Sequence, residues 1–105
     1  SERNDMATLI ELMQCTSSTY LRERLVVAVA VQAELVRTEP TNTPNHANRM
    51  LWAKGAFSDP RAMADKMLWA VLAQNRTATV QQITQATDAE VQGAVSAAVD
   101  VYATG

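Results

Sequence analysis

The stretch from Thr19 to Thr38 constrains the fold more than any other part of this 105-residue chain. Leu21, Leu25, Ala28, Val29, Gln32 and Val36 recur at the three- and four-residue spacing of one helical face. The valine-rich centre (Val26, Val27, Val29, Val31) would also suit a buried strand. The pattern, however, continues through Gln32-Ala33-Glu34-Leu35-Val36-Arg37 without a turn residue, farther than strands commonly reach. Twenty helical residues span about 30 Å, the breadth of a domain this small. With valine on several sides, this helix is expected at the centre, covered by the others.

Local signals place further helices around it. Met6, Leu9, Ile10 and Met13 predict a first helix over about Asp5 to Gln14, ended by Cys15-Thr16-Ser17-Ser18. Thr43-Pro44 reads as N-cap and N1 of a third helix, about 44–57, and Asp59-Pro60 as the same device for a fourth, about 60–75. Thr79-Val80-Gln81-Gln82 and Thr87-Asp88-Ala89-Glu90 are capping boxes. They open a short fifth helix and a sixth that reaches about Ala103. On the sixth, Val91, Ala94, Val95, Ala98 and Tyr102 share a face. The expected fold is all-α, with five to six helices packed as a single small bundle over residues 1–105. A chain of this size buries roughly 65% of its surface, and an Ala/Val-rich core is thin.

Composition removes several classes of function. Nine Lys and Arg against eleven Asp and Glu leave a formal charge of -2, which argues against a nucleic-acid module built on a basic face. One cysteine excludes a disulfide scaffold. The longest apolar run, Leu25 to Val31, is far short of the ~20 residues that span a bilayer. No apolar stretch follows Ser1-Glu2-Arg3-Asn4-Asp5, so no signal peptide is expected, and Ser1 reads as the residue behind a removed initiator Met. A soluble protein made in a cytoplasm is the expectation. The segment from Thr79 to Val99 has a helix-turn-helix outline. No Lys or Arg occurs after Arg76, however, while Asp88, Glu90 and Asp100 are acidic. Recognition of bases or phosphates is therefore not expected. The same asymmetry suits head-to-tail contact between identical subunits, or simply a solvated face.

Residues with chemical potential are few. His46, the single histidine, falls in the first turn of the third predicted helix, where the dipole disfavours its charged form. It has no partner at a metal-binding or catalytic spacing and reads as a local hydrogen-bonding or interface residue. Cys15 has no thiolate-stabilising neighbour in sequence and reads as a small half-buried side chain. Glu11, Glu23, Glu34, Asp65 and Glu90 sit mostly near bases (Arg22, Arg24, Arg37, Arg61, Lys66) and read as solvated faces. Asn75-Arg76-Thr77 fits the N-glycosylation pattern, incidental without a signal peptide. No catalytic, cofactor-binding or metal-binding residue is assigned, and neither an enzyme nor a cofactor is expected. One internal echo stands out: Arg49-Met50-Leu51-Trp52-Ala53 recurs as Lys66-Met67-Leu68-Trp69-Ala70. It reads as two adjacent helices solving one packing problem with the same residues, with an ancestral repeat as the other origin. Trp52, Trp69 and Tyr102 are the candidate interface anchors, both tryptophans being expected part-buried.

The phrases Thr43-Pro44-Asn45-His46-Ala47-Asn48-Arg49, Leu51-Trp52-Ala53-Lys54 and Met67-Leu68-Trp69-Ala70-Val71-Leu72-Ala73, with the Ala/Val-rich last helix from Ala86 to Ala103, carry a resemblance. The chain resembles the small virion proteins of tailed-bacteriophage structural modules from about Tyr20 to Ala103. The resemblance implies a head–tail connector (adaptor or neck) protein, self-assembled as a homo-oligomeric ring between portal and tail. It implies contact with portal and tail proteins, a virion location after synthesis in the host cytoplasm, and no catalytic residues. It includes no counterpart of the long C-terminal arm that adaptors often carry. Capsid cement or tail-associated proteins are the nearest alternatives, and a small helical interaction or regulatory module is another.

Overall fold

The computed structural model describes residues 17–74 and 85–104, and every regular element within them is helical. These elements are α1 (Ser17–Thr38), α2 (His46–Ser58), α3 (Pro60–Gln74) and α4 (Asp88–Thr104). Four helices thus stand among the described residues, where five to six are expected for the whole chain. The expected first helix (Asp5 to Gln14) and fifth helix (from Thr79) lie outside those residues, as do Cys15 and Asn75-Arg76-Thr77.

α1 packs against all three other helices. Its core face is the one its periodicity marks: Leu21, Leu25, Ala28, Val29, Gln32 and Val36 are all buried, joined by Ala33. Among the described residues, α1 is covered on one side and not all round as expected. Val27 is 63% exposed and Leu35 55%, with Val31 also outward. The three described neighbours all lie on one side of α1.

α1 and α4 run parallel. Near their starts, Arg24 holds Asp88; one to two turns on, Gln92 reaches the Ala28 carbonyl and the Gln32 side chain. The two helices also share a ladder. Leu21, Leu25, Ala28, Val29 and Ala33 on α1 correspond to Val91, Val95, Ala98, Val99 and Ala103 on α4, all buried. Small residues at these steps let the helix axes approach closely. Val99 and Ala103 complete the α4 face in place of Tyr102, which is 48% exposed. Inside this apolar seam, Gln32 is only 5% exposed. Its Oε1 accepts from Gln92 Nε2 at 3.1 Å, which satisfies a polar group that would otherwise be costly to bury.

The helix ends follow local chemistry. Asp59 ends α2 and caps α3: its N–H donates to the Gly55 carbonyl at 3.0 Å, and its Oδ1 accepts from the Ala62 N–H at 3.1 Å. Pro60 follows at N1. At α4 the capping box closes both ways. Thr87 N–H donates to Glu90 Oε1 at 2.9 Å, and Glu90 N–H donates to Thr87 Oγ1 at 3.1 Å. Thr43-Pro44 behaves differently from its reading as a helix start. The His46 N–H donates to the Thr43 carbonyl at 3.1 Å, closing a turn, and Asn45 takes the left-handed conformation with φ 59°. Proline followed by a left-handed asparagine suits a type II turn, so the helix begins two residues late, at His46.

The echoed Met-Leu-Trp-Ala phrases face in different directions. In α2, Trp52 is 0% exposed and Leu51 63%; in α3, Leu68 is 1% exposed and Trp69 38%. The two helices therefore do not solve one packing problem with the same residues. One residue turns a helix by about 100°, enough to exchange a core position for a surface one.

Leu25→Ala should cost about 2–5 kcal/mol in urea unfolding, since Leu25 is 1% exposed. Val27→Ala, one helical step from the core face, should cost within about 0.5 kcal/mol. Equal costs would contradict the assigned face of α1.

Candidate functional site

Two kinds of surface stand out: a polar node where three helix ends meet, and outward apolar faces on α1 and α2. The node forms because α1 and α4 both finish where α2 begins. Glu39 follows the last residue of α1, and its carboxylate accepts from Arg49 Nε at 3.0 Å and from Arg49 Nη2 at 3.0 Å. His46 Nδ1 lies 3.2 Å from Glu39 Oε1. An ionised carboxylate only accepts, so Nδ1 carries the proton in this contact. Arg49 also pairs with Asp100 of α4. Asn48 Nδ2 donates to the Ala103 carbonyl at 2.9 Å, occupying one of the last carbonyls of α4.

The node is semi-buried: the side chains of Glu39 and Arg49 are 12% and 13% exposed. Hydrogen bonds from Arg49 hold the Glu39 carboxyl below its ordinary value; partial burial opposes them, and the contact with His46 adds to them. Glu39 in turn raises Arg49 above its ordinary value. Each cationic or donor group here has a structural partner at a helix C-terminus, where positive charge is favourable. The arrangement ties three helices together. It places no nucleophile beside a base, and no group of three metal-ligating side chains forms among the described residues.

Arg24 makes a second clamp at the other end of the α1–α4 seam. Its side chain is 13% exposed, pairs with Asp88 at 3.0 Å, hydrogen-bonds the Ala86 carbonyl and lies 5.1 Å from the Tyr20 ring centre. The acidic last helix is thus bound to basic residues of its own chain: Asp88 to Arg24, Asp100 to Arg49. Glu90 caps its own helix. The charge asymmetry that suggested contact between subunits is engaged within one protomer at these positions. α3 is joined to α1 by pairs whose arginines are more exposed, Glu23 with Arg61 at 2.9 Å and Arg22 with Asp65 at 3.7 Å.

The three candidate anchors separate. Trp52 is fully inside the protomer, and its Nε1–H has no hydrogen-bond acceptor. It fills the core and is out of a partner's reach. Trp69 and Tyr102 are surface residues of α3 and α4. His46 is a local hydrogen-bonding residue, in the node.

More apolar surface lies on α1 and α2 than the sequence reading anticipates. Along α1, Val27, Val31 and Leu35 face outward at four-residue spacing. On α2, Leu51 is 63% exposed and Phe57 50%. They border an open hollow of about 460 Å³, lined also by Ala47, Met50 and Lys54, with Arg37 of α1 at its edge. Large apolar residues grouped on an exposed helix face mark contact surfaces. No protein-family model matches the chain, and no curated protein or solved structure matches it either.

Arg49→Met should destabilise the fold by about 1–3 kcal/mol, because it leaves Glu39 semi-buried with only His46. The pH dependence should change with it. Glu39 has a depressed folded-state pKa, so its contribution is complete above its unfolded value, roughly 4.3, and is lost as pH falls through the folded value. Thermal unfolding from pH 7 down to 2 should show this loss in the parent chain and a smaller one in the variant. Parallel curves would place the acid-sensitive pairing elsewhere. In a separate test, acrylamide should quench the emission of the parent chain in two components, and Trp69→Phe should remove the accessible one. A single inaccessible component in the parent would contradict the outward position of Trp69.

Proposed function

We propose that this chain is a structural subunit that works by associating with copies of itself, as a head–tail connector (adaptor or neck) protein in a virion. The observation that carries this reading is the grouping of exposed large apolar residues on two helix faces, Val27, Val31 and Leu35 on α1 and Leu51 and Phe57 on α2. The resemblance of residues 20–103 to small phage virion proteins supplies the setting. Subunits would form a homo-oligomeric ring between portal and tail, made in the host cytoplasm and carried in the virion. Its mechanism is geometric. A rigid helical body, clamped at both ends of the α1–α4 seam, holds a fixed angle to its neighbours, and repetition of that angle closes a ring. A near-neutral surface suits a conduit for DNA, because a basic wall would retain the phosphates.

A second reading is a small helical module that binds a partner's helix in the hollow on α2, as amphipathic helices bind apolar grooves. Capsid cement and tail-associated roles share the assembly logic of the first. Membrane insertion has no support: none of the described helices is long and apolar enough to cross a bilayer.

Light scattering on the eluting protein, with particle mass spectrometry, separates the readings. The connector reading expects a mass that is a multiple of 11.4 kDa at high concentration. It also expects the protein in salt-washed virions. Absence from washed particles would overturn it.

A further inference from the structure

The carboxylates of the described residues are all engaged inside the protomer. Glu23, Glu34, Asp65, Asp88 and Asp100 each meet an arginine of their own chain, and Glu39 sits in the polar node. Asp59 and Glu90 cap helices. On the basic side, Lys54 and Lys66 have no acidic partner among the described residues. Of the two, Lys54 stands in the wall of the apolar hollow on α2, beside Leu51, Phe57 and Met50. Arg37, at the edge of the hollow, is held by Glu34. The hollow therefore combines apolar walls with one cation for which the described residues offer no acid.

An occupant matched to such a hollow is apolar and acidic at once. The chain's other three carboxylates, Glu2, Asp5 and Glu11, all precede α1, and Arg3 is the single base among residues 1–16. Met6, Leu9, Ile10 and Met13 recur there at the spacing of one helical face. Glu2 and Asp5 stand four residues before Met6 and Leu9, which puts both acids at the rim of that face. We infer that residues 2–13 of one copy seat as an amphipathic helix in the α2 hollow of a second copy. Met6, Leu9, Ile10 and Met13 meet Leu51 and Phe57, and Glu2 and Asp5 turn toward Lys54. The lengths agree: Met6 to Met13 spans about 10 Å and Ala47 to Phe57 about 15 Å along their helices.

Reach favours a second copy over the segment's own chain. α2 runs back along α1, because Glu39 meets Arg49 near the start of α2 and Glu23 meets Arg61 just past its end. Arg37, at the edge of the hollow, stands about 30 Å along α1 from Ser17. A helix over residues 5–14 is about 15 Å long, so one folded straight back from Ser17 ends well short of Arg37. Each copy gives a segment and receives one, and such a heterologous contact repeats around a ring. This inference rests on the self-association proposed above and names the occupant of one of its surfaces.

Cysteine cross-linking of the full chain tests it. In a Cys15→Ser background, chains with Leu9→Cys are mixed with chains carrying Leu51→Cys and oxidised. The mixture should give a disulfide dimer containing one of each, at a yield well above that of either variant alone. Adding Lys54→Glu to the Leu51→Cys chain should lower that yield several-fold. Glu2→Lys with Asp5→Lys on the Leu9→Cys chain should then restore it, which a merely structural effect of Lys54→Glu would not allow. A single chain carrying both cysteines should give a ladder of multimers; an intramolecular disulfide instead places the segment in its own hollow and overturns the proposal. Circular dichroism checks that each variant keeps its helices, and Met6→Cys with Phe57→Cys is the replacement pair if one does not. Absence of the mixed dimer with both pairs overturns the proposal, as does a yield indifferent to the charge exchange. The self-association reading is judged separately. A multimeric mass by light scattering without the mixed dimer rejects this occupant and keeps that reading. The mixed dimer from a protein absent from washed virions keeps the contact and rejects the connector.

Discussion

Two semi-buried arginines, Arg24 and Arg49, hold α4 alongside α1. The apolar ladders of these helices repeat at one-turn intervals and consist mostly of Val and Ala, each burying little area. A ladder of similar rungs tolerates slippage by a turn, and parallel helices gain nothing from their side-by-side dipoles. Directional contacts have to set the register. Arg24 fixes the start of α4 through Asp88 and the Ala86 carbonyl, and Arg49 fixes its end through Asp100. Gln32 and Gln92 do the same at an intermediate step, where a slip would bury unpaired amides. Because Arg49 belongs to α2 and also grips Glu39, the clamp positions α2 as well, and Asp59 then directs α3.

The sequence discloses what is local. Leu21, Leu25 and Val29 declare a core face by spacing alone. Asp59-Pro60 and Thr87 to Glu90 declare helix starts, because the capping groups lie within three residues of each other. Thr43-Pro44 is ambiguous for the same reason. The pair fits both a helix start and a turn, and the left-handed Asn45 decides for the turn. The polar node has no local signature. Glu39 meets Arg49 only after the chain reverses, and Asp100 joins them from the far end of the sequence. The exposed valines are also unreadable in advance. Val27 and Val31 alternate with Val29 in one run, and only the placement of α2, α3 and α4 tells which of them stays wet.

The structure also moves the basis of the functional reading. Charge asymmetry along the chain first suggested contact between subunits, yet two of the acidic groups of α4 are engaged by arginines of their own protomer. What is left for a partner is mainly apolar: the flank of α1 and the hollow on α2. Association built on such surfaces draws its strength from removing area from water, with the remaining charges setting orientation.

The repeated Met-Leu-Trp-Ala phrase shows how letters and geometry part company. By letters, Trp52 aligns with Trp69, seventeen residues on. By burial, Trp52, Ala53 and Ala56 align with Met63, Ala64 and Met67, eleven residues on. The two tryptophans are therefore under different physical constraints. Position 52 is restricted by the volume of an enclosed space, and position 69 by solubility and by whatever meets the surface of α3. Substitutions recorded at one would be a poor guide to the other, and a profile that averaged them would describe neither.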